Sequence, residues 1–451
     1  MNSRRCSPAP NCGGALSEVK AGRPLTVWIL QTGEPLHIDG ADPRPMRAMN
    51  LANALLAAGH RVVLWSARFN HQTKRHRSER RLEMTLSDRF IVRLIPSRGY
   101  TRNVGLSRLV DHAQLAWNLK RSLRRTMEVP DVALVGYPPI ETAAVMTRWL
   151  RRNGVPCALD VKDQWPHLFL AAFPADLRWL GRIVLWPYFS LARRSMRDAT
   201  GVSAMAEGFL DWALEFSSRS PGSCNGVFPL TSPVGQFSEA QREEAIAWWE
   251  QRGVRADGRP RLMFVGTHAP TVDFQPVSDA ARLLASGRDS RDRTVQFVIC
   301  GDGGSTHEWR AATAGLTNVG FPGWVSRPQI EVLAGRSLAA LIPYRNRDDF
   351  QRSIPNKVLD ALALGLPLLS PLDGEVAKLI GTHEVGLKYG ADAGRTLQDC
   401  IRILVREPDL CRRMSERAHA LYEQRFSFER VYGGLVRYLE SLALRREQAP
   451  R

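Results

Sequence analysis

A short apolar run, a glycine- or proline-rich break and an amphipathic segment follow one another repeatedly along this chain. That alternation restricts the fold more than any other feature. LTVWIL (25–30) is the first run; the loop after it (31–45) is too rich in glycine and proline for helix or strand. Helical spacing of Met49, Leu51, Ala52, Leu55 and Leu56 follows and stops at Gly59, a natural C-terminal cap, with RVVLW (61–65) immediately behind. Wholly apolar runs of this length read as strands buried on both faces of a parallel sheet, and strand–helix–strand order is a βαβ unit. The pattern predicts further strands at 90–95, 132–137, 156–163 and from Gly201, with helices over 106–127, 141–153 and 176–200.

A cluster of serine, proline and glycine over 217–235 then interrupts the alternation, which reads as a crossing between domains. After a helix over 239–251 a second series begins, with strands at 261–266, 295–301, 318–321, 338–344 and 367–371, a helix over 357–365 and a long closing helix over 428–446. A chain of 451 residues is too long for one ordinary core. The expected architecture is α/β: a disordered arm (1–22), a doubly wound domain (23–220), a linker (221–235), a second doubly wound domain (236–427), and a C-terminal helix with its tail (428–451). Ligands of such folds bind at the carboxyl ends of the strands.

The net charge of +17 invites an anionic partner, yet 55 of the 62 basic residues are arginine, a bias consistent with genome composition. No zinc-finger spacing or RNA-recognition signature is present, so nucleic acid is not expected; the anionic inner face of a cell membrane fits the charge better. No apolar run reaches the roughly 18 residues of a membrane span, and the first residues lack the apolar stretch of a signal peptide. The seven cysteines have no metal-ligand spacing. These features predict a cytoplasmic protein with reduced thiols, placed peripherally at the membrane.

Chemistry concentrates in DDFQRSIPNKVLDALALGLPLLSPLDGE (348–375). Pro355 is pre-set for a helical first turn, so a helix opening at Asn356 would aim free N–H groups and its positive dipole end at the strand edge. Lys357 adds a full positive charge for a phosphate, and Asp360, one turn on, suits a ribose diol. Ordinary packing with a solvated lysine and aspartate is the alternative.

Three stretches carry a resemblance. They are the opening strand with its loop and LANALLAAGHRV helix, GDGG (301–304) with NVGFPGWV (318–325), and SIPNKVLDALALGLPLL (353–369). Together they resemble the retaining GT-B glycosyltransferases of the group that includes bacterial cell-surface polysaccharide enzymes, over residues 24–445. The resemblance implies two Rossmann-like domains facing across a cleft. It also implies a metal-independent transfer of sugar, hexose-like, from a nucleotide-sugar donor to a glycan or lipid-linked saccharide. The donor is a substrate, so no cofactor and no metal are expected.

In that scheme Ser353, Asn356 and Lys357 meet the pyrophosphate and Asp360 the ribose. The backbone at Trp324 and Val325 meets the nucleobase. Gly266, Gly301, Asp302 and Gly303 let the donor approach closely. Arg352 stands where the motif has a sugar-contacting glutamate, and the basic pair of many relatives after the first strand of the second domain is replaced by FVGTHAP. Arg352 is expected to grip the diphosphate or a carboxylated sugar, and His268 or Arg352 to supply part of the missing pair. The departures leave open a non-catalytic nucleotide-sugar or polysaccharide assembly protein of this fold, or a nucleotide-sugar epimerase.

On the first domain, the loop from Gly33 to Gly40 would lie against sugar and acceptor, with His37 and Asp39 as polar contacts. Asp163, at a strand's carboxyl end, would orient the acceptor hydroxyl or take its proton; capping beside Trp165 is the other reading. The basic and aromatic stretch 177–197 reads either as a membrane-interface face or as a domain helix.

Overall fold

The computed structural model describes residues 23–40, 45–79, 82–101, 105–231, 235, 237–390 and 394–448; the expected arm, 1–22, lies outside them. Ten strands belong to the first half: β1 (Thr26–Leu30), β2 (Arg61–Ala67), β3 (Phe69–Asn70), β4 (Arg75–His76), β5 (Glu83–Ser87), β6 (Phe90–Ile95), β7 (Val132–Tyr137), β8 (Cys157–Val161), β9 (Gly201–Ala204) and β10 (Gly226–Val227). Eight form one sheet in the order β10-β9-β8-β7-β1-β2-β6-β5, while β3 and β4 pair as a separate hairpin. Pairing is parallel except at the β5 edge. Every residue of β7 and β8 is buried, which is why these strands read as unbroken apolar runs.

The second sheet joins β11 (Arg261–Val265), β12 (Gln296–Cys300), β13 (Val319–Gly323), β14 (Ala339–Leu341), β15 (Leu368–Ser370) and β16 (Gly386–Lys388) in the order β13-β12-β11-β14-β15-β16. Both sheets run outward from a central strand and then resume on its other side. The reversal falls between β1 and β7 in one and between β11 and β14 in the other. Crevices at such reversals, outside the carboxyl ends of the strands, are where doubly wound sheets take ligands.

Three elements depart from expectation. The antiparallel edge strand β5 is largely exposed, with Glu83, Thr85 and Ser87 alternating with Met84 and Leu86, so no apolar run announces it. The predicted helix over 176–200 is two helices, Arg178–Val184 and Trp186–Asp198, broken at Leu185 ahead of Pro187. The predicted linker is tied down: β10 adds to the first sheet, and Thr231 O accepts hydrogen bonds from Asn50 Nδ2 (3.1 Å) and Tyr432 Oη (3.2 Å).

The last helix, Phe428–Gln448, returns to the first domain. Its Val431, Tyr432, Leu435, Leu439 and Leu442 share a core with Val27, Ile29, Leu51 and Val62. Beneath it lies a buried ion pair: Arg47 Nε donates to Asp160 Oδ2 at 3.1 Å, both side chains at most 1% exposed. Ser203 Oγ donates to Asp160 Oδ1 at 2.9 Å, the carbonyls of Phe228 and Pro229 accept from Arg47, and the Tyr432 ring faces its guanidinium. One arginine therefore ties together the first helix, β8, the domain crossing and the terminal helix.

Candidate functional site

At the reversal of the second sheet, two glycines let neighbouring groups come close to the chain. A Cβ on Gly266, just past β11, would stand 1.9 Å from Lys357 Nζ; one on Gly301, just past β12, would stand 2.0 Å from the Gly266 carbonyl oxygen. Both also hold positive φ, +156° and +115°; at Gly301 the crowding atom is backbone, so glycine is required there twice over, whereas at Gly266 a side chain would displace the lysine end. Lys357 comes from the helix Asn356–Ala363, whose first turn contains no acidic residue and whose N-cap is Pro355. Its Nζ lies 5.5 Å from the Phe264 ring and 5.9 Å from the Tyr344 ring, which places the ammonium between the ends of β11 and β14. A cation, a helix start and a glycine-lined crevice thus meet at the topological switch point, an arrangement that favours a phosphate.

The adjoining turn is fixed internally. Asp302 Oδ1 accepts from Gly303 N (2.8 Å) and Thr306 Oγ1 (2.6 Å), and these bonds hold its carboxyl below the usual carboxylate range. Its side chain therefore shapes the loop. His268, expected to replace part of a basic pair, is wholly buried against the Trp309 ring, with Nδ1 on Thr306 Oγ1 at 2.8 Å. Burial lowers its pKa, so it serves the packing under the loop as a neutral ring. Trp324 is 66% exposed at the end of β13, Val325 packs partly on the second core, and Gly301 N donates to Gly323 O at 2.7 Å. Ser353 is buried, Asn356 is half-buried and Asp360 is exposed.

Arg352 lies at the end of the short helix Asp348–Gln351. Its guanidinium pairs with Asp348 at 3.1 Å and, with His167, lines a groove against the first domain. Gly208 abuts the Arg352 backbone, where a Cβ would be 2.8 Å from its carbonyl oxygen. The second domain's edge thereby faces the carboxyl end of β8. There Asp163 Oδ1 accepts from Gln164 N at 2.8 Å. Burial, aided by the neighbouring Asp349 charge, pushes its carboxyl up to about 6. The helix that follows, His167–Ala172, has Pro166 at its N-cap and no side-chain cap.

The loop after β1 differs from expectation. Asp39 is committed to Arg77 by two bonds, 2.7 and 2.8 Å, and His37 Nε2 contacts Asn53 Oδ1 at 2.8 Å. Both hold the loop closed. Gly33 is exposed, and nothing lies within 4 Å of where its Cβ would be. The residue that reaches inward is Glu34, absent from the sequence reading. It is buried, with Oε1 2.5 Å from Lys162 Nζ and Oε2 accepting Ala48 N at 2.8 Å, so it caps the first helix and ties it to the residue just after β8. Its place between Gly33 and Pro35 was the available signal. Among the described residues no group of three or more His, Cys, Asp or Glu side chains is placed to hold a metal ion.

Residues 259–406 match the family of glycosyl transferases group 1. No curated protein sequence matches the chain. Among solved structures, sucrose-phosphate synthase from Thermosynechococcus elongatus superposes with a TM-score of 0.65 at 13% identity, over 92% of this chain and 99% of that one. HepE of Anabaena in complex with UDP-glucose gives 0.59 at 14% identity, over 92% and 100%. WaaG, a glycosyltransferase involved in lipopolysaccharide biosynthesis, gives 0.60 at 13%, over 92% and 99%. The shared fold is GT-B.

Proposed function

We propose that this chain, a GT-B protein whose second domain is a group 1 glycosyltransferase domain, transfers a hexose from a nucleoside diphosphate sugar to a glycan or lipid-linked saccharide, with retention and without a metal ion. The observation that carries the reading is Lys357, seated against Gly266, with Gly301 behind it, at the switch point of the second sheet. HepE was solved with UDP-glucose, which supports a donor of that class here. As the sugar leaves, negative charge grows on the diphosphate. Lys357 and the N–H groups at the start of its helix meet that charge where it develops. Asp163, ionised above about pH 6, orients the incoming hydroxyl and takes its proton. Asp360 is assigned to the ribose, the Trp324–Val325 backbone to the base, and Ser353 and Asn356 to the phosphates.

The test is transfer by the full chain in EDTA, screened over nucleoside diphosphate sugars and saccharide acceptors, with the product anomer read by NMR. Product keeping the donor's configuration is expected. Its rate should rise with pH through about 6 in the wild type, and Asp163→Asn should lose that inflection. Binding of a donor with no turnover would shift the reading to a non-catalytic assembly protein.

We place the acceptor at a membrane surface. No helix among the described residues is long and apolar enough to cross a membrane. The segment around the helix Arg178–Val184 nevertheless exposes Leu177, Trp179, Leu180, Ile183, Val184 and Trp186, four of them by more than 60%. Arg178 and Arg182 are exposed among them. Trp186 continues into a groove of about 1010 Å³ lined by Arg151, Arg193, Arg194, Arg197 and, from the second domain, Arg352. Apolar side chains flanked by arginines suit the headgroup region of the anionic inner leaflet. Full-length protein should float with anionic vesicles at low salt, and Trp179→Ser with Ile183→Ser should weaken partition about tenfold or more. Equal flotation of wild type and variant would remove this face from the membrane.

A further inference from the structure

The first sheet ends at β5, and the outer side of that strand is open. Its register with β6 runs Glu83↔Arg93, Met84↔Val92 and Thr85↔Ile91, and Leu94 N donates to Leu82 O at 2.7 Å. In an antiparallel ladder, residues that bond the neighbour alternate with residues that do not. Leu82 and Met84 therefore turn their backbone groups toward β6, while Glu83 and Thr85 turn theirs away from it. Among the described residues no strand pairs with β5 on that side. A row of N–H and C=O groups so presented is a template for one more strand.

The side chains sort by face. Leu82, Met84 and Leu86 form one row, Glu83 and Thr85 the other. Leu82 is 43% and Leu86 42% exposed, and Met84 packs only partly on the core under the sheet. The Glu83 carboxylate already has its counter-charge, since Arg93 Nε donates to its Oε2 at 2.7 Å. Lysine and proline, the common guards of an edge, are absent from Leu82–Ser87. The bulge between Thr85 and Ser87 lies beyond the outward groups of Glu83 and Thr85.

The apolar row is palindromic, leucine on either side of Met84 at equal spacing. A surface that meets a copy of itself across a two-fold axis needs that symmetry, because residue i must suit j and j must suit i. Charge follows the same centre. Glu79 and Arg89, both exposed and of opposite sign, flank Met84 at equal distances along the sequence. About an axis at Met84, each end of the pairing brings a carboxylate of one copy toward a guanidinium of the other.

We propose that β5 pairs antiparallel with β5 of a second copy of this chain, with the two-fold axis at Met84, and so joins two eight-stranded sheets into one. The N–H and C=O of Glu83 then bond the C=O and N–H of Thr85 in the second copy, and the reverse. Met84 faces its own counterpart, and Leu82 faces Leu86 on both sides of the axis, which covers both exposed leucines. β2 and β6 separate this edge from β1 and the switch point, so the pairing is independent of the sugar-transfer reading.

The test is sedimentation equilibrium of the full chain, where a mass of twice 50.5 kDa is expected at roughly 50 μM. Thr85→Pro removes an outward N–H that the chain's own sheet does not use, and by symmetry removes it twice. It should weaken association about tenfold or more. Should that variant fail to fold, Leu86→Lys, which changes an exposed side chain, should weaken it as much. Register is read by cross-linking. Met84→Cys sets two thiols on a non-hydrogen-bonded pair, whose Cα atoms lie about 4.5 Å apart and within disulfide reach. Oxidation should therefore yield a covalent dimer with Met84→Cys, and none beyond the wild-type level with Thr85→Cys. A monomeric wild type overturns the proposal. So does a dimer that the folded edge variant leaves unchanged, or one that Met84→Cys does not lock.

Discussion

Lys357→Met should lower kcat/KM for sugar transfer by about 10²–10³-fold, equivalent to about 2.7–4 kcal/mol of transition-state stabilisation. Methionine matches the lysine stem out to Cε and removes the ammonium that lies near the Phe264 and Tyr344 rings. Most of the loss should appear in kcat, because the diphosphate gains charge as the bond to the sugar breaks and the ammonium acts mainly on that developing charge. Lys357→Arg should rescue poorly, since a planar guanidinium is bulkier than the ammonium that already lies where a Gly266 Cβ would be. Steady-state kinetics with saturating acceptor, alongside unchanged melting curves, make the comparison. A variant within threefold of wild type would move the phosphate site elsewhere.

The second large effect falls on stability. Arg47→Ala should destabilise the protein by about 3–5 kcal/mol, the cost of leaving a buried charge without its partner. Asp160 would keep only the Ser203 hydroxyl, and the Phe228 and Pro229 carbonyls would lose their donor. Asp160→Ala should cost a similar amount by stranding the arginine. Replacing both with apolar residues of similar volume should cost less than either alone, because desolvation of the pair is then no longer required. Urea unfolding followed by tryptophan fluorescence measures all three. A loss under 1 kcal/mol in both single variants would show that the pair is not what holds the crossing.

The alternation of the two sheets could be read because their strands are buried on both faces and leave uninterrupted apolar runs. β5 could not, because an edge strand that is mostly exposed alternates polar and apolar residues and leaves no such run. The helix opening at Asn356 was legible for a local reason, Pro355 ahead of a helical apolar spacing. What stayed hidden depends on partners distant in sequence. Asp39 is claimed by Arg77, 38 residues on, and Glu34 by Lys162, 128 residues on; neither pairing leaves a trace in spacing.

The returning helix Phe428–Gln448 makes the lobes inseparable by simple truncation. A fragment ending near Thr231 would bare the surface that Val431, Leu435, Leu439 and Leu442 cover, and would forfeit the Tyr432 bond to the Thr231 carbonyl. Anyone wishing to study the first domain in isolation needs a rewired gene, with the 428–448 segment spliced back onto it.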